Sequence, residues 1–237
     1  MNQNYNYSRY YTRINAVNEA DPTTIIYCNQ QLLKRVLPED KNIKILDIGC
    51  GRGYLLMALQ SMGYTNIAGI DIDEGQIEGC KKNNVPGILV ENSDEYLKEH
   101  ENEYDVVILF DVLEHIPTDD TVHFLKHIRS SLKTGGILFC KVPNANNLVS
   151  SRWQYNDWTH KTSFTEYSLD FVLYHAGFDN NEISDEPHII QKKFISFLYF
   201  LCKKIYHFFL RAIYILEFGP DGIRMPLNLN IISISRK

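Results

Sequence analysis

The sequence of 237 residues has no excess of basic residues, because 24 Lys and Arg stand against 29 Asp and Glu and the net charge is −5. A general nucleic-acid binder needs a basic face that displaces counterions, so this balance argues against that class and leaves room only for a local basic pocket. The five cysteines contain no CxxC pair, which fits neither a disulfide framework nor a zinc motif. We therefore expect a reducing, cytoplasmic compartment and no metal ion.

An uninterrupted apolar run is also missing. The polar N-terminal segment does not have the apolar core of a secretory signal. The run from Phe194 to Phe218 is long enough to cross a bilayer, but Lys203, Lys204 and Arg211 interrupt it, so we expect no transmembrane span. Its polar residues recur at helical spacing, which predicts an aromatic helix over a binding pocket or in a dimer interface. Peripheral membrane contact is the alternative, and we expect a monomer or a homodimer.

What the sequence does contain is an alternation of short apolar runs with helical segments. Runs such as VVILF, apolar throughout, are typical of strands buried on both faces of a parallel sheet. The predicted strands are IKILDIG, NIAGIDI, GILVEN, YDVVILF, GGILFCKVP and, at the end, LNLNIISISRK. Asp21 followed by Pro22 predicts the start of a helix that runs to about Leu37. This alternation predicts a doubly wound, Rossmann-like α/β fold.

A glycine-rich turn, DIGCGRG from Asp47 to Gly53, follows the first predicted strand. Such turns let the backbone approach a ligand at the N-terminus of a helix. A dinucleotide enzyme has GxGxxG, whereas Tyr54 stands here where the third glycine would be. Asp47 would add negative charge beside phosphates, so it favours a ligand that carries a cationic amino group and a sulfonium.

Four segments, ILDIGCGRG, GIDID, YDVVILFDVLEHI and LKTGGILFCKVPN, resemble in this order the class I S-adenosylmethionine-dependent methyltransferases, and above all their small-molecule branch. The resemblance covers roughly residues 43–143 and implies a seven-stranded, mostly parallel sheet with helices on both faces, a helical cap, and S-adenosylmethionine as cofactor, with S-adenosylhomocysteine as product. It implies that Asp47, Gly49 and Gly51 hold the methionine part, that Asp71 holds the ribose, and that Ile72 and Asn92 contact the adenine. Ser93 is a further expected cofactor contact, and Phe110 and Asp111 are expected beside the reacting methyl group. Where the family often has Asp, this chain has Asn92, and Asp94 competes with it for the adenine amino group.

The resemblance also organises the rest of the chain as one domain. It implies an N-terminal lid and helix (1–40), a cofactor-binding core (43–143), an acceptor-side segment with the aromatic cap helix (144–226) and a last strand (227–237). In the lid, Tyr11 or its neighbour Tyr10 is expected to reach the methionine carboxylate, and the alternative is an exposed, disordered tail.

Two histidines are candidates for the catalytic group. His115 follows the fourth strand, and His160 lies in a DWTHK segment that resembles part of many small methyltransferases, including ones found with surface-polysaccharide genes. The resemblance implies a methyl acceptor bound by Trp158, with Arg152 and Lys161 adding positive charge. A sugar or phenolic hydroxyl needs a base, for which His160 is the candidate, whereas a phosphate, phosphoramidate or carboxylate is already an anion that Arg152, His160 and Lys161 would orient. The bland alternatives are a surface-loop role for His160 and a core or helix-entry role for His115.

Other classes remain as alternatives. Nucleic-acid amino methyltransferases carry an Asn/Asp-Pro-Pro-aromatic sequence where this chain has Asp111 to Glu114, so we expect a small-molecule acceptor and no nucleic acid. A non-catalytic subunit that binds a partner through its aromatic helix is the second hypothesis, and a dehydrogenase is the third.

Overall fold

A seven-stranded sheet forms the centre of the computed structural model, which describes residues 21–90, 92–189 and 194–237. In chain order the strands are β1 (Ile45–Ile48), β2 (Ile67–Asp71), β3 (Gly87–Leu89), β4 (Tyr104–Phe110), β5 (Leu132–Pro143), β6 (Asn180–Asp185) and β7 (Asn230–Arg236). The α-helices of the described residues are α1 (Pro22–Leu33), α2 (Tyr54–Ser61), α3 (Glu74–Lys82), α4 (Ser93–Glu99), α5 (Thr118–Ser131), α6 (Ser150–Asn156), α7 (Glu166–His175) and α8 (Phe194–Phe218). Short 3-10 helices cover Leu113–His115 and Gly219–Ile223.

The strand order is β3-β2-β1-β4-β5-β7-β6. β1 pairs in parallel with both β2 and β4, while β7 runs antiparallel between β5 and β6. The order therefore reverses between β1 and β4, and the loops that leave the two strands diverge there to open a crevice at the carboxyl edge. The predicted doubly wound, mostly parallel sheet is confirmed.

Two apolar clusters cover the two faces of this sheet. On one face, side chains of α4, α5 and α7 pack on the strands, among them Leu97, Phe124 and Leu169. On the other face, the contributors include Leu33 of α1 and Leu56 of α2. All four residues of β1 are buried because helices lie on both sides of it.

The predicted start of α1 is confirmed, since the carboxylate of Asp21 accepts a hydrogen bond from Thr23 N at 3.2 Å. The helix ends at Leu33, earlier than the expected Leu37. Residues 34–37 continue only as hydrogen-bonded turns, because the residue before Pro38 is disfavoured in the helical conformation.

The seventh strand that the resemblance implies is β6, whose position no apolar run in the sequence indicates. β6 lies within the segment 144–226, and five of its six residues are polar. It forms the edge of the sheet and pairs only with β7, so one apolar residue, Ile183, is enough to anchor it.

The aromatic helix α8 extends over the predicted residues, Phe194–Phe218, but it does not pack along its length. Among its described side chains only Leu210 and Tyr214 are buried, whereas Leu216 is 85% exposed. The guanidinium of Arg211 donates to the carbonyls of Gly222 and Met225, each at 2.7 Å. The helix is thus attached by its C-terminal half to the segment that follows it. In the part of the chain that the structure describes, no helix combines the length and the apolar character that crossing a membrane requires.

Candidate active site

The glycine-rich turn after β1 adopts a backbone that side chains would disturb. Gly49, Gly51 and Gly53 have φ values of +72°, +52° and +80°. A Cβ on Gly49 would lie 2.4 Å from Cγ2 of Val112, which follows β4. The turn therefore needs glycine both for its left-handed conformation and for close approach to the β4 loop. It leaves backbone N–H groups at the start of α2, next to the crevice.

Asp47, the third residue of β1, has a buried carboxylate. Its Oδ2 has no hydrogen-bond partner among the described residues. Burial, and then the negative charge of Asp71, raise the pKa of the Asp47 carboxyl well above its ordinary value. A buried acceptor of this kind is costly unless a ligand completes it, so Asp47 fits the cationic amino group that the sequence predicts.

Asp71, at the end of β2, is held in place by the backbone. Its two carboxylate oxygens accept hydrogen bonds from Gly51 N and Asp73 N, each at 2.9 Å. Burial raises the pKa of the Asp71 carboxyl, while these amides partly oppose the shift. Each carboxylate oxygen can accept a second bond, which fits the predicted role toward two ribose hydroxyls. The adjacent Ile72 is 54% exposed, as a side chain that packs on a ligand ring would be.

The predicted adenine side is arranged differently from the expectation. The amide oxygen of Asn92 accepts from Asp94 N at 2.8 Å and so caps α4, a helix that sequence analysis did not predict. The side chain of Asp94 turns away to His127 of α5, with Oδ1 2.7 Å from Nδ1. Ser93 is the first residue of α4. The cap occupies one lone pair of the Asn92 oxygen, so its assignment to adenine remains a prediction.

The end of β4 presents a strained carboxylate and a lysine that sequence analysis missed. Asp111 has φ +56°, a left-handed conformation that costs energy in a residue with a side chain. Its Oδ2 lies 2.8 Å from Nζ of Lys141 on β5, whose ammonium also lies 5.0 Å from the ring centroid of Phe110. Burial disfavours the Lys141 charge, but Asp111 and Glu186 outweigh it and the pKa of Lys141 is raised. Lys141 occupies one position of a buried strand, where no motif marks it.

The two predicted histidines meet beside this strand end. The rings of His115 and His160 are 4.7 Å apart between centroids, in an edge-on arrangement. Buried Glu114 lies beside them, with its Oε1 4.0 Å from Nε2 of His160. The main-chain oxygen of Glu114 accepts a hydrogen bond from Lys161 N at 2.7 Å. Burial, and then Asp111, raise the pKa of the Glu114 carboxyl, whereas burial, and then His160, lower the pKa of His115. Sequence analysis had no signal for Glu114 beyond its position next to His115.

The side chains that the sequence predicts to bind the acceptor are more exposed than the two histidines. Arg152 on α6 and Lys161 are exposed, and Trp158 is 79% exposed. Asp157 accepts a 2.6 Å hydrogen bond from the hydroxyl of Thr159. Tyr11 and the rest of the predicted lid lie outside the described residues.

A glycine-rich turn after β1, a buried carboxylate within β1, a second carboxylate at the end of β2 and an antiparallel last strand are features of the class I methyltransferase fold. The sequence profile of the methyltransferase-domain family matches residues 23–183, and the chain belongs to this family. Solved S-adenosylmethionine-dependent methyltransferases share this fold.

Among curated proteins, the chain is similar to the ubiquinone biosynthesis O-methyltransferase of Pelagibacter ubique, with 32% identity over 133 residues, 52% of this chain and 54% of that protein. It spans about half the length of the curated relatives it matches. Among solved structures it is similar to a SAM-dependent methyltransferase from Archaeoglobus fulgidus, with a TM-score of 0.68, 22% identity, and coverage of 96% of this chain and 100% of that one. It also resembles Haemonchus contortus phosphoethanolamine N-methyltransferase 2 in complex with S-adenosylmethionine, with a TM-score of 0.61, 17% identity, and coverage of 88% and 52%. At these identities the two structures support the fold alone.

The residues present fit the cofactor. The unpartnered oxygen of Asp47 suits the amino group, Asp71 suits the ribose, and exposed Ile72 offers an apolar surface for the adenine. When bound, S-adenosylmethionine supplies an electrophilic methyl group on a positively charged sulfur. The crevice places Phe110 and Asp111 on the β4 side of this site.

Proposed function

We propose that this enzyme transfers a methyl group to the oxygen of a neutral hydroxyl on a small molecule. The observation that carries the proposal is the group formed by buried Glu114 and the half-buried His115 after β4 together with the half-buried His160. Methyl transfer is an in-line displacement, to which an enzyme contributes alignment and control of the acceptor's proton. A hydroxyl must lose its proton to become a good nucleophile, and this group provides polar atoms for that task.

The charge around the group favours a neutral acceptor over an anionic one. Asp111 and Asp157 act on both Glu114 and His115, and Glu114 Oε1 lies 4.0 Å from Nε2 of His160. The charge of Lys141 is compensated by its ion pair with Asp111. A phosphate or carboxylate would meet these carboxylates at short range, which costs free energy. The exposed Arg152 and Lys161 could contact the outer part of an acceptor but do not line the group around Glu114.

Two kinds of hydroxyl acceptor agree with this chemistry. The resemblance around His160 supports a sugar or sugar nucleotide of surface-polysaccharide biosynthesis, while the curated relatives in ubiquinone biosynthesis support a phenol. We propose the sugar class as the first to assay and catechol-like phenols as the second. The single-domain organisation, the N-terminal lid with Tyr11 and a cytoplasmic location belong to the same proposal.

The test is a methyl-transfer screen with labelled S-adenosylmethionine against sugar nucleotides, phosphorylated sugars and phenols. For the acceptor that reacts, we expect His160→Gln to lower kcat about 100-fold or more, the usual scale for losing a group that manages a proton, while S-adenosylhomocysteine binds as tightly as before. His175→Gln, an exposed histidine on α7, is the matched control and should retain the rate. A rate that survives His160→Gln and stays level below pH 6, or methylation of a phosphate in preference to hydroxyls, would contradict the proposal.

A further inference from the structure

Three side chains near the proposed methyl acceptor have the arrangement of metal ligands. Glu114, His115 and His160 each place one ligating atom within 4.8 Å of the other two. Atoms that share an ion at bonds of about 2.0–2.2 Å lie roughly 3–4 Å from one another. Glu114 Oε1 and His160 Nε2 are 4.0 Å apart, too far for a hydrogen bond and within the span of a common ion. Shifts of under about 1 Å would bring all three onto one ion.

The cluster is built into the interior and leaves a carboxylate oxygen unsatisfied. Glu114 is 1% exposed, and the side chain of His160 is 10% exposed. Within the described residues, Glu114 Oε2 has no hydrogen-bond partner. Buried carboxylate oxygens are rarely left without a partner, so this one points to a cation that completes the Glu114 carboxylate.

The contact with Thr159 fixes which nitrogen of His115 carries the proton in the neutral ring. The hydroxyl of Thr159 gives its single hydrogen to Asp157, at 2.6 Å. The 2.8 Å contact between this hydroxyl and His115 Nδ1 must therefore be donated by the imidazole. In the neutral ring the lone pair is then on Nε2, the atom that a metal takes. A carboxylate that orients a histidine through hydrogen bonds is the usual support of a metal-bound imidazole.

We propose that Glu114, His115 and His160 bind one divalent first-row transition-metal ion that holds the hydroxyl oxygen of the methyl acceptor. Two imidazoles and one carboxylate suit Zn²⁺, Mn²⁺ or Co²⁺, whereas Mg²⁺ and Ca²⁺ prefer all-oxygen sites. Three protein ligands leave coordination positions for the acceptor. This inference departs from our expectation of no metal, and it rests on the proposed function for the identity of what the ion holds.

The ion would act by making the hydroxyl more acidic. The hydroxyl proton passes to solvent water, and an oxygen lone pair forms the bond to the methyl carbon. The carbon–sulfur bond breaks with its electron pair remaining on sulfur. The products are the methyl ether, S-adenosylhomocysteine and one proton, so no oxidant or reductant is required.

The test is direct metal binding to the purified full chain after treatment with a chelator and dialysis. Titration with Co²⁺, followed by its visible absorption, should show one ion per chain. His115→Gln and His160→Gln should each weaken Co²⁺ binding about 100-fold or more, and the positioning variant Asp157→Asn about 10-fold. His175→Gln is the matched control and should bind Co²⁺ like the wild type. Thermal unfolding and S-adenosylhomocysteine binding establish that each variant is folded.

The outcomes separate this inference from the proposed function. Absence of Co²⁺ binding to the wild type, or equal binding to the folded variants, would overturn the metal site. Methyl transfer to a hydroxyl that continues at full rate in metal-free protein would also overturn it while leaving the proposed function intact. One Co²⁺ bound through these residues, in a protein that methylates no hydroxyl, would support the site and contradict the proposed function instead.

Discussion

Replacing Asp47 by Asn should change cofactor affinity and stability in opposite directions. Because Asp47 Oδ2 is buried without a partner in the described structure, the charged carboxylate carries a desolvation cost in the free protein. Removing that charge should stabilise the free protein by about 1–2 kcal/mol near neutral pH, which for a chain of this size is roughly 2–8 °C in Tm. The same change removes a charge-assisted hydrogen bond to the cofactor's amino group, worth about 1.5–3 kcal/mol. We therefore expect the Kd for S-adenosylmethionine to rise about 10- to 150-fold.

Calorimetric titration with S-adenosylmethionine and thermal unfolding without ligand test both arms. Asp179→Asn, a change of the same chemistry at an exposed position between α7 and β6, is the control and should alter neither quantity. Wild-type affinity in Asp47→Asn would refute the assignment of this carboxylate to the cofactor. A lower Tm in Asp47→Asn would refute the argument that the buried carboxylate is left unsatisfied.

Three further changes test other parts of the account. Gly49→Ala combines left-handed strain with a Cβ contact at 2.4 Å, so in a denaturant titration it should lower the free energy of unfolding by about 2–5 kcal/mol. Gly135 has φ +76° but open space around it, so Gly135→Ala should lower the free energy of unfolding by only about 1–2 kcal/mol. The raised pKa of Asp47 means that the folded protein holds a proton that the unfolded chain has released, so stability should fall as pH rises from about 4 through the raised value. Asp47→Asn should flatten that part of the profile, and equal slopes would contradict it. Leu210→Ala should destabilise α8 by about 2–4 kcal/mol and expose it to protease, whereas Leu216→Ala, on the exposed face, should stay within about 0.5 kcal/mol of wild type.

The parallel part of the sheet could be predicted because its strands are apolar throughout and end in marked turns. The edge strand β6 could not, since its sequence, NNEISD, is held by pairing with β7 rather than by burial of an apolar face. Likewise α4 is short and depends on the Asn92 cap, which the sequence analysis had assigned to a ligand. The wide apolar face of α8 predicted a covering role that the described contacts do not show, because periodicity specifies a face without specifying what lies against it.

For the site, sequence motifs indicated single residues better than their combinations. His115 and His160 were separate candidates, and only the fold brings their rings to 4.7 Å and places buried Glu114 with them. Lys141 escaped notice because a charged residue within a strand has no local signature, and its pairing with Asp111 depends on the register of β4 and β5. Partnerships across strands and loops are set by topology, so they become visible only when the sheet is assembled.

The atom that receives the methyl group decides whether this protein is an O-methyltransferase. The full chain is incubated with S-adenosylmethionine that carries an isotopically labelled methyl group and with the acceptor found by screening, and the product is analysed by NMR. We expect a label bonded to oxygen, one S-adenosylhomocysteine per methylated product, and no transfer without the protein. A label on nitrogen or carbon, or the absence of both transfer and calorimetric binding of S-adenosylmethionine, would contradict this expectation.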